Sequence, residues 1–509
     1  MPPHSGRGAA ALVLVLVLAG CTDGRGSGPT VTTTPPRAGG TLRLALLAPR
    51  SLDPARAESD SERIIADSLF DGLTRLDPEG RAAGAVAASW AADAGQRRFE
   101  FKLRPEARFA GGEPVRAQDF VTAWRRVAAS PRPGVRRLLA KVEGATAGLG
   151  GVTAPAQDTL VVQLTGATPA FPAIAADPAL APVPPAATGA GAKDWAARPT
   201  GNGPFALIGR PNPDRVVLGR SQAYPGRRTW LDRVDITTVP DPQTAWLAFQ
   251  EGQVQYAPVP VDQLAAARQL FGTAGDERTD PGLIEGPAAA IDVLELPASG
   301  PLAQPGLRLA VAHAIDRAGL VEALGGAGVA ADGLVPDGVR RGGPIACPAC
   351  GYDPAQAAQA LAQAGKPKLT VAPGAGAVGR QLAGLVAGDL RDAGARATVG
   401  TGPAAGAVEI RTVVAGAATA DAPGFLTGLT ELTGEASGEV GQLLGEASVA
   451  GDDDARLELA RQAEEQAAAD ILVVPLVERR QTAVLAAGVQ GLDLTPLGLI
   501  DLAEVSLTG

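Results

Sequence analysis

Patterns typical of β-strands and α-helices alternate along almost the whole chain. "TLRLALLAP" alternates its leucines as a half-buried strand does, and "SERIIADSLFDGL" spaces its apolar residues along one helix face, with Ser61 as the predicted cap. "GLRLAVAHAIDRAGLVEAL" predicts one long amphipathic helix, whereas "AIDVLEL" and "ILVVPLVERRQTAVLA" predict strands. No fixed repeat relates these elements. Their interleaving predicts an α/β chain of more than one lobe.

Length and charge limit the functions that such a chain can have. The chain has 509 residues, which is enough for two or three domains with sizeable cores. Its net charge is −9 and the sequence contains no basic stripe, so we expect no nucleic-acid partner. Beyond the N-terminal segment, no stretch approaches 18 uninterrupted apolar residues, which predicts that nothing else spans a membrane.

The N-terminal segment has the pattern of a bacterial lipoprotein signal peptide. Arg7 precedes the apolar run "LVLVLVLAG", which is about half as long as a membrane span requires. We expect cleavage after residues 1–20, lipid on the thiol of Cys21, and a flexible tether over residues 21–40, which are rich in Gly, Ser, Thr and Pro. The alternative is a chance cysteine after an ordinary signal. The pattern predicts a lipid-anchored protein that faces outside the cytoplasm.

The histidine and cysteine counts disfavour several kinds of enzyme. The sequence contains two histidines, and His4 is lost with the signal peptide, which leaves His313. With lipid on Cys21, the two remaining cysteines form a pair. Such a protein has few ways to build a catalytic triad or a zinc site, although carboxylate chemistry stays open. The composition therefore favours binding over catalysis.

Six motifs in a fixed order relate the chain to one protein family. The longest is "FEFKLRPEARFAGGEPVRAQDFVTAWRRV". The others are "IIADSLFDGLTRLDPEGRAAGAVAASW", "RPTGNGPFAL", "LAFQEGQVQY", "LRLAVAHAIDRAGLV" and "YDPAQAAQALAQAG". Through these motifs the chain resembles the extracellular solute-binding proteins of family 5, the peptide and nickel class of ABC importers. It is most similar to their oligopeptide-binding members.

The resemblance implies an α/β fold of the two-lobed periplasmic-binding-protein type, with mixed sheets flanked by helices and a ligand cleft between the lobes. Lobe I would comprise residues 40–75, 190–272 and 481–509. Residues 76–189 would form a small extra domain, and residues 273–480 would form lobe II. The chain would then cross twice between the lobes and form a hinge, and hinge closure around a ligand is a common conformational change.

The resemblance also implies the function and the partners. The chain would be a monomeric, non-enzymatic protein without cofactor or metal, which binds oligopeptides or dipeptides and delivers them to an ABC permease. Because the sequence has no P-loop, the energy would come from a partner ATPase. Alternatives are another solute (a nickel chelate, haem, a sugar or an opine) and a degenerate member that acts as a sensor or scaffold. A redox or hydrolytic enzyme outside the cytoplasm has little support.

Ligand-binding residues follow from the resemblance. In the peptide binders an Asp after a Gly-Trp pair holds the ammonium group of the peptide. Here the matching stretch is "AGAATADAPGFL", so Asp421 is the candidate anchor and Ala417 stands at the Trp position. Asn202 in the "TGNG" turn, Ser51 and Tyr256 complete the predicted ligand-binding set.

Several positions depart from the family pattern. Gln255 and Gly441 stand where the family has acidic residues, and every tryptophan lies at or before Trp246. We therefore expect one wall of the cleft to carry small side chains. These losses favour the alternative of a degenerate member that acts as a sensor or scaffold.

Two further signals have ordinary explanations. The "CPAC" stretch, Cys347 to Cys350, is expected to be a structural disulfide in an oxidising compartment, and the alternative is a redox pair. "GAGAVG" matches a dinucleotide fingerprint, but a chain with 65 glycines contains such a match about once by chance. His313 is expected to be a hydrogen-bonded helix residue rather than a ligand. These signals therefore add no cofactor.

Overall fold

In the computed structural model, strands and helices alternate along the chain as the sequence patterns predict. The structure describes residues 38–77, 81–274, 279–341, 343–401, 407–414, 421–433, 438–450 and 452–508, all of which belong to one compact unit, Pro36–Gly509. The strands are β1 (Thr41–Leu47), β2 (Thr74–Leu76), β3 (Ala82–Gly84), β4 (Ala87–Ala92), β5 (Arg98–Leu103), β6 (Val152–Ala156), β7 (Thr159–Gln163), β8 (Phe205–Leu207), β9 (Arg215–Arg220), β10 (Arg233–Val239), β11 (Tyr256–Pro258), β12 (Gly282–Glu295), β13 (Gly328–Ala330), β14 (Lys368–Ala372), β15 (Arg396–Val399), β16 (Val408–Val414), β17 (Val473–Leu485), β18 (Val489–Gln490) and β19 (Ser506–Leu507).

The helices connect these strands and cover the faces of the sheets. The α-helices are α1 (Asp60–Leu69), α2 (Ala117–Ala128), α3 (Pro133–Arg137), α4 (Phe171–Ile174), α5 (Ala192–Ala197), α6 (Pro242–Gln250), α7 (Leu264–Phe271), α8 (Pro305–His313), α9 (Arg317–Ala323), α10 (Pro354–Gln363), α11 (Gly376–Asp392), α12 (Ala422–Thr433), α13 (Gly438–Val449) and α14 (Asp453–Asp470). In the described part of the chain, no helix combines the length and the hydrophobicity that a membrane crossing requires.

Eleven of the described strands form one mixed sheet, in the order β15-β14-β16-β12-β17-β11-β1-β10-β9-β8, with β13 beside β17. Its central pair, β12 and β17, runs antiparallel. Residues 282–287 pair with 480–485, residues 291–295 pair with 473–478, and the register shifts between these two stretches. We call β12 and β17 the hinge strands.

The two halves of the sheet attach at opposite ends of the hinge strands. β11 pairs with β17 at its C-terminal end, from Ala483 to Leu485, whereas β16 pairs with the second half of β12. We call the half with β11, β1, β10, β9 and β8 the first lobe, and the half with β16, β14, β15 and β13 the second lobe. Residues 282–287 pair with the first-lobe end of β17, so the sheet runs continuously from one lobe into the other along the hinge strands. The predicted boundaries at 272 and 480 stay a prediction.

A separate four-stranded sheet, β4-β5-β7-β6, lies within residues 76–189. Its core is aromatic, because the rings of Phe99, Phe101 and Trp124 all contact Phe171. The indole N–H of Trp124 donates to the Leu180 carbonyl at 2.7 Å. These side chains form one hydrophobic cluster with those of the first lobe. The small sheet is therefore joined to the first lobe through a continuous core.

The core of the second lobe consists mainly of small aliphatic side chains. Among its described core residues, Phe425 is the one aromatic side chain, and leucine, valine, isoleucine and alanine supply nearly all the rest. This follows the sequence, in which tryptophan is confined to the first 246 residues.

Two helix predictions were wrong in detail. α1 is capped by Ser59 rather than Ser61, because Ser59 and Glu62 form a reciprocal capping box. The predicted long helix is interrupted after His313, where Asp316 caps a second helix by accepting a hydrogen bond from the N–H of Gly319. A capping aspartate thus divides one amphipathic pattern into α8 and α9.

Candidate functional site

Ser51 lies in the segment that connects β1 to α1, where side chains hold the turn. Its hydroxyl accepts a hydrogen bond from the backbone N–H of Asp53 at 3.1 Å. The Asp53 carboxylate caps the short helix Pro54–Arg56 and forms an ion pair with Arg126. The structure therefore gives Ser51, which is half-buried, a partner within its own turn.

Glu62 fixes the same segment to the first turn of α1. Its carboxylate accepts hydrogen bonds from the backbone N–H groups of Arg50 at 2.8 Å, Glu58 at 2.9 Å and Ser59 at 3.1 Å. Burial opposes its ionisation, but these N–H groups outweigh burial and hold the pKa of Glu62 below its ordinary value. An ionised carboxylate with three backbone partners holds the loop rather than a ligand.

Tyr256 lies in β11, beside Leu44 of β1 and opposite Leu485 of β17. Its ring is buried in the first-lobe core. Burial and, to a smaller extent, the charge of Asp60 raise the pKa of the Tyr256 phenol. Burial also raises the pKa of the Asp60 carboxyl, against the charge of Arg63. Because Asp60 begins α1, Tyr256 lies near the N-terminal turn of that helix.

Asn202 lies in the "TGNG" turn, which packs against the last turn of α1. Its side-chain oxygen accepts from the backbone N–H of Asp71 at 3.2 Å, and its side-chain N–H donates to the Asp71 carbonyl at 2.9 Å. A Cβ on Gly201 would overlap the carbonyl oxygen of Leu69, so glycine permits this close approach. Asn202 is 4% exposed, and its amide is engaged in holding the turn against α1.

The predicted ligand-binding residues of the first lobe lie near the two ends of α1. Ser51 and Tyr256 lie near its N-terminal turn, whereas Asn202 lies past its C-terminal end. A ten-residue helix is about 15 Å long. The structure therefore brings Ser51 and Tyr256 to one end of α1 and separates Asn202 from them.

A group of charged residues around Arg227 was missed in the sequence. Arg227 forms ion pairs with Asp501 in the C-terminal segment, and Tyr224 donates to Asp71 at 2.7 Å. Burial, together with the negative charges of Asp501 and Asp71, raises the pKa of Asp67 to about 8. The group fastens the C-terminal segment to the first lobe. No local pattern indicates it, because its members come from three distant segments.

Asp421 precedes α12 in the second lobe, and both of its carboxylate oxygens have partners. Oδ1 accepts from the N–H of Gly424 at 2.9 Å, and Oδ2 forms an ion pair with the buried Arg456 of α14. An ammonium group would have to compete with Arg456 for this carboxylate. Whether Asp421 anchors a ligand stays a prediction. Ala417 and Cys21 lie outside the described residues.

A partly buried ion pair links the second-lobe ends of the hinge strands to β16. Nε and Nη2 of Arg479 each donate to the Asp292 carboxylate at 2.9 Å, and the hydroxyl of Thr412 donates to it at 2.6 Å. Asp292 is fully buried. The sequence contained one signal for this ion pair, namely Asp292 inside the apolar pattern "AIDVLEL". A carboxylate buried in a strand requires a partner.

Three carboxylates near the hinge lie close enough to hold a cation, but an arginine already lies among them. Oxygens of Asp332, Asp337 and Glu478 lie within 4.8 Å of one another. Arg340 Nη1 lies 2.8 Å from Asp332, and its Nη2 lies 3.7 Å from Glu478. Burial raises the pKa of Glu478 to about 7, against the Arg340 charge. Because the guanidinium supplies the positive charge, this group does not favour a metal ion.

Cys347 and Cys350 are joined by a disulfide in the loop that precedes α10. A ring nitrogen of His313 lies 3.0 Å from the carbonyl oxygen of Pro348, which lies between the two cysteines. The crosslink therefore closes a small loop that α8 supports through this histidine.

The comparisons with known proteins agree with this architecture. The sequence profile described as bacterial extracellular solute-binding proteins, family 5 Middle, matches residues 81–436. The chain belongs to this family. The predicted membership is confirmed, and the family consists of solute-binding proteins rather than enzymes, as expected.

Two curated relatives show how far the similarity of this family 5 protein extends. The dipeptide-binding protein DppE of Bacillus subtilis is 29% identical over 268 residues, which cover 50% of this chain and 49% of DppE. The probable deoxycholate-binding periplasmic protein YgiS of Escherichia coli is 30% identical over 233 residues, which cover 43% of each chain. The family 5 protein thus spans about half the length of the curated relatives it matches.

A solved structure extends the similarity to nearly the whole chain. The unliganded open form of the periplasmic murein tripeptide-binding protein MppA, from Escherichia coli, has a TM-score of 0.80 and 23% identity, and the match covers 92% of this chain and 97% of MppA. This likeness confirms the predicted two-lobed α/β fold of the family 5 protein.

Proposed function

We propose that this chain is the lipid-anchored substrate-binding protein of an ABC importer. It would bind peptides between its lobes and deliver them to a permease that a partner ATPase drives. The observation that carries the proposal is the pair of hinge strands. The two sheet halves attach at opposite ends of this pair, with a register shift between them, and such a connection allows lobes to close around a solute.

The proposed ligand is a short peptide held mainly by its backbone. An extended peptide satisfies its N–H and C=O groups as an added strand does, which makes binding tolerant of side chains. DppE, one of the relatives, is named as a dipeptide-binding protein. We retain Asp421 as the proposed partner of the peptide ammonium group, through a charge-assisted hydrogen bond. Ser51, Asn202 and Tyr256 remain the proposed contacts from the first lobe.

The anchor belongs to the same proposal. Lipid on Cys21 would hold the protein at the outer face of the membrane, and residues 21–40 would give the binding unit its reach. Labelling of growing cells with a radioactive fatty acid is expected to mark the wild-type chain and to leave Cys21→Ser unlabelled. Equal labelling of both chains would contradict the assignment of the anchor.

A second candidate is a solute that is not a peptide. Arg456 already neutralises Asp421, so the described part of the second lobe gives an ammonium group no ready partner at this position. The relative YgiS is named as a probable deoxycholate-binding protein. An uncharged or anionic solute would avoid competition with Arg456.

Calorimetric titration with tri-alanine and N-acetyl-tri-alanine separates these candidates. If the peptide proposal is correct, the free amine binds at least ten-fold more tightly than the acetylated form, a difference of about 1.4 kcal/mol. Asp421→Asn should abolish that discrimination, while Asp452→Asn, which changes the exposed cap of α14, should preserve it. Absence of binding by both peptides would overturn the peptide proposal and favour the second candidate.

A further inference from the structure

The hinge strand β12 has contacts on both of its faces. Glu285 and Gly286 are consecutive, so they point to opposite faces of the sheet. On one face, Nε of Arg268 donates to the Glu285 carboxylate at 2.9 Å. On the other, a Cβ on Gly286 would lie 3.0 Å from the Cβ of Leu494. Different segments therefore pack on the two faces at the same point of the hinge.

The Arg268 side chain connects the two lobes. It comes from α7, whose Ala267 packs in the first-lobe core. Its Nη1 donates to the carbonyl of Gly325 at 3.0 Å and its Nη2 donates to that of Gly326 at 2.8 Å. These glycines follow α9, whose Leu320 packs in the second-lobe core. A cation at the C-terminal end of a helix is favourable, because the last carbonyls carry partial negative charge.

The glycine turn is shaped to receive the arginine. Gly325 and Gly326 have φ values of +65° and +74°, a left-handed conformation that favours glycine. A Cβ on Gly326 would overlap the Arg268 guanidinium, and one on Gly325 would lie 3.3 Å from the carbonyl oxygen of Val261. We call the contacts of Arg268 with these two carbonyls and with Glu285 the Arg268 bridge.

Residues 494–499, the C-terminal turn, cover the other face of the hinge. Gln481 is the ladder partner of Gly286 and shares its face, and its side-chain N–H donates to the Thr495 carbonyl at 2.6 Å. The backbone N–H of Ala289 donates to the carbonyl of Pro496 at 2.7 Å. The C-terminal turn is therefore hydrogen-bonded to both hinge strands.

The C-terminal turn also contacts the cores of both lobes. Leu494 packs against the core cluster of the first lobe, and Leu497 packs against that of the second lobe. Apolar contacts of this kind lose free energy when they are exposed to water. By contrast, the Arg268 side chain is 38% exposed, so water can replace its partners.

We propose that the Arg268 bridge is a reversible latch that stabilises this arrangement of the lobes, with the C-terminal turn as the fulcrum. Rotation of one lobe about the fulcrum separates Arg268 from the glycine turn before the apolar contacts break. The latch rests on the proposed function in one respect, namely that the lobes move. It requires no knowledge of the ligand.

Double electron–electron resonance, which measures the distance between two spin labels, tests the latch directly. Labels at Leu247→Cys in α6 and Arg380→Cys in α11 report on the first and second lobes, and both positions are exposed. Residues 36–509 form one compact unit whose other cysteines are joined by the disulfide, so the labels are unique. The measurement is made without ligand.

In the wild-type protein, one population of label distances corresponds to the latched arrangement. Arg268→Ala is expected to lower the ratio of this population to all other populations by about three- to ten-fold. That range is typical of the loss of hydrogen bonds from a charged group near the surface. Arg268→Lys should lie between the two, since one ammonium cannot reproduce the planar fork. Arg461→Ala is the matched control, because Arg461 pairs with Glu458 and Glu465 within α14.

An unchanged distribution in Arg268→Ala, or an equal change in Arg461→Ala, would overturn the latch. If Arg268→Ala folds poorly, Glu285→Gln serves instead, because it removes the carboxylate that orients Arg268 and should give a smaller shift in the same direction. A shifted distribution in a protein that binds no peptide would support the latch and contradict the proposed function. Peptide binding together with an unchanged distance distribution in Arg268→Ala would contradict the latch and support the proposed function.

Discussion

At the scale of single residues, arginines hold both the carboxylate predicted as the ligand anchor and a second carboxylate that no motif marked. Asp421 is paired with Arg456, and Asp292 with Arg479. Because a buried carboxylate needs a partner, its sequence position alone does not tell whether that partner is a ligand or another side chain. The role of Asp421 therefore has to be separated experimentally into stability and binding.

Asp421→Ala should lower the free energy of unfolding by about 1–2 kcal/mol, because it removes a helix cap and one partner of Arg456. Urea denaturation provides the measurement. Asp452→Ala is the control, because Asp452 caps α14 from an exposed position and its loss should cost about 1 kcal/mol or less. Loss of peptide binding by Asp421→Ala at unchanged stability would show that its main role is in the ligand site.

Glu478 makes stability depend on pH in a predictable direction. Its pKa is about 7 in the folded protein against an ordinary 4.5, so the folded state holds the proton more tightly than the unfolded state does. Stability is therefore expected to fall as pH rises from about 4.5 to 7. Glu478→Gln should remove up to about 3 kcal/mol of that fall, measured by urea denaturation at pH 5 and pH 8.

The control for this prediction is Asp389→Asn. Burial raises the pKa of Asp389 to about 6, so this variant should reduce the same fall by a smaller amount. A Glu478→Gln protein that keeps the full wild-type pH dependence would show that Glu478 is ionised in the folded protein across this range.

At the scale of elements, short strands with regular alternation could be predicted well. "RVDITTV" is β10, and "KLTVAP" contains β14. β12 begins eight residues before the predicted strand "AIDVLEL", at Gly282. The glycines and Pro287 are typical of a loop, so residues 282–289 were not predicted as strand. In the structure, residues 282–287 pair with β17, and this pairing overrides the local preferences. The capping box of α1 was present in the sequence as Ser-x-x-Glu and was missed.

The "TGNG" turn gives a prediction at the element scale. Gly201→Ala should destabilise the protein by more than about 2 kcal/mol, because the new Cβ overlaps the Leu69 carbonyl at the end of α1. Gly384→Ala is the opposite control. Gly384 is exposed inside α11 with open space at its Cβ position, so alanine should stabilise by about 0.5–1 kcal/mol. Thermal and urea unfolding compare the two. A fully stable Gly201→Ala protein would contradict the packing of this turn.

At the scale of the whole molecule, the two-lobed fold could be predicted because six family motifs occur along the chain in the order that the family has. The site could not be predicted to the same degree. Asn202 meets Asp71, and Arg227 meets Asp501, across separations of 131 and 274 residues. Such contacts depend on how the elements pack, and no local pattern encodes them. The roles of the predicted ligand-binding residues therefore stay predictions, while the structure shows the partners of those that it describes.

The ligand proposed to bind between the lobes is a short peptide. Native mass spectrometry of residues 36–509, purified without added ligand and then denatured, tests this proposal most directly, because any bound species is released and can be sequenced. We expect a mixture of short peptides, present in the folded protein and lost on unfolding. A single defined compound that is not a peptide, or an empty protein that also takes up nothing from a peptide mixture, would contradict it.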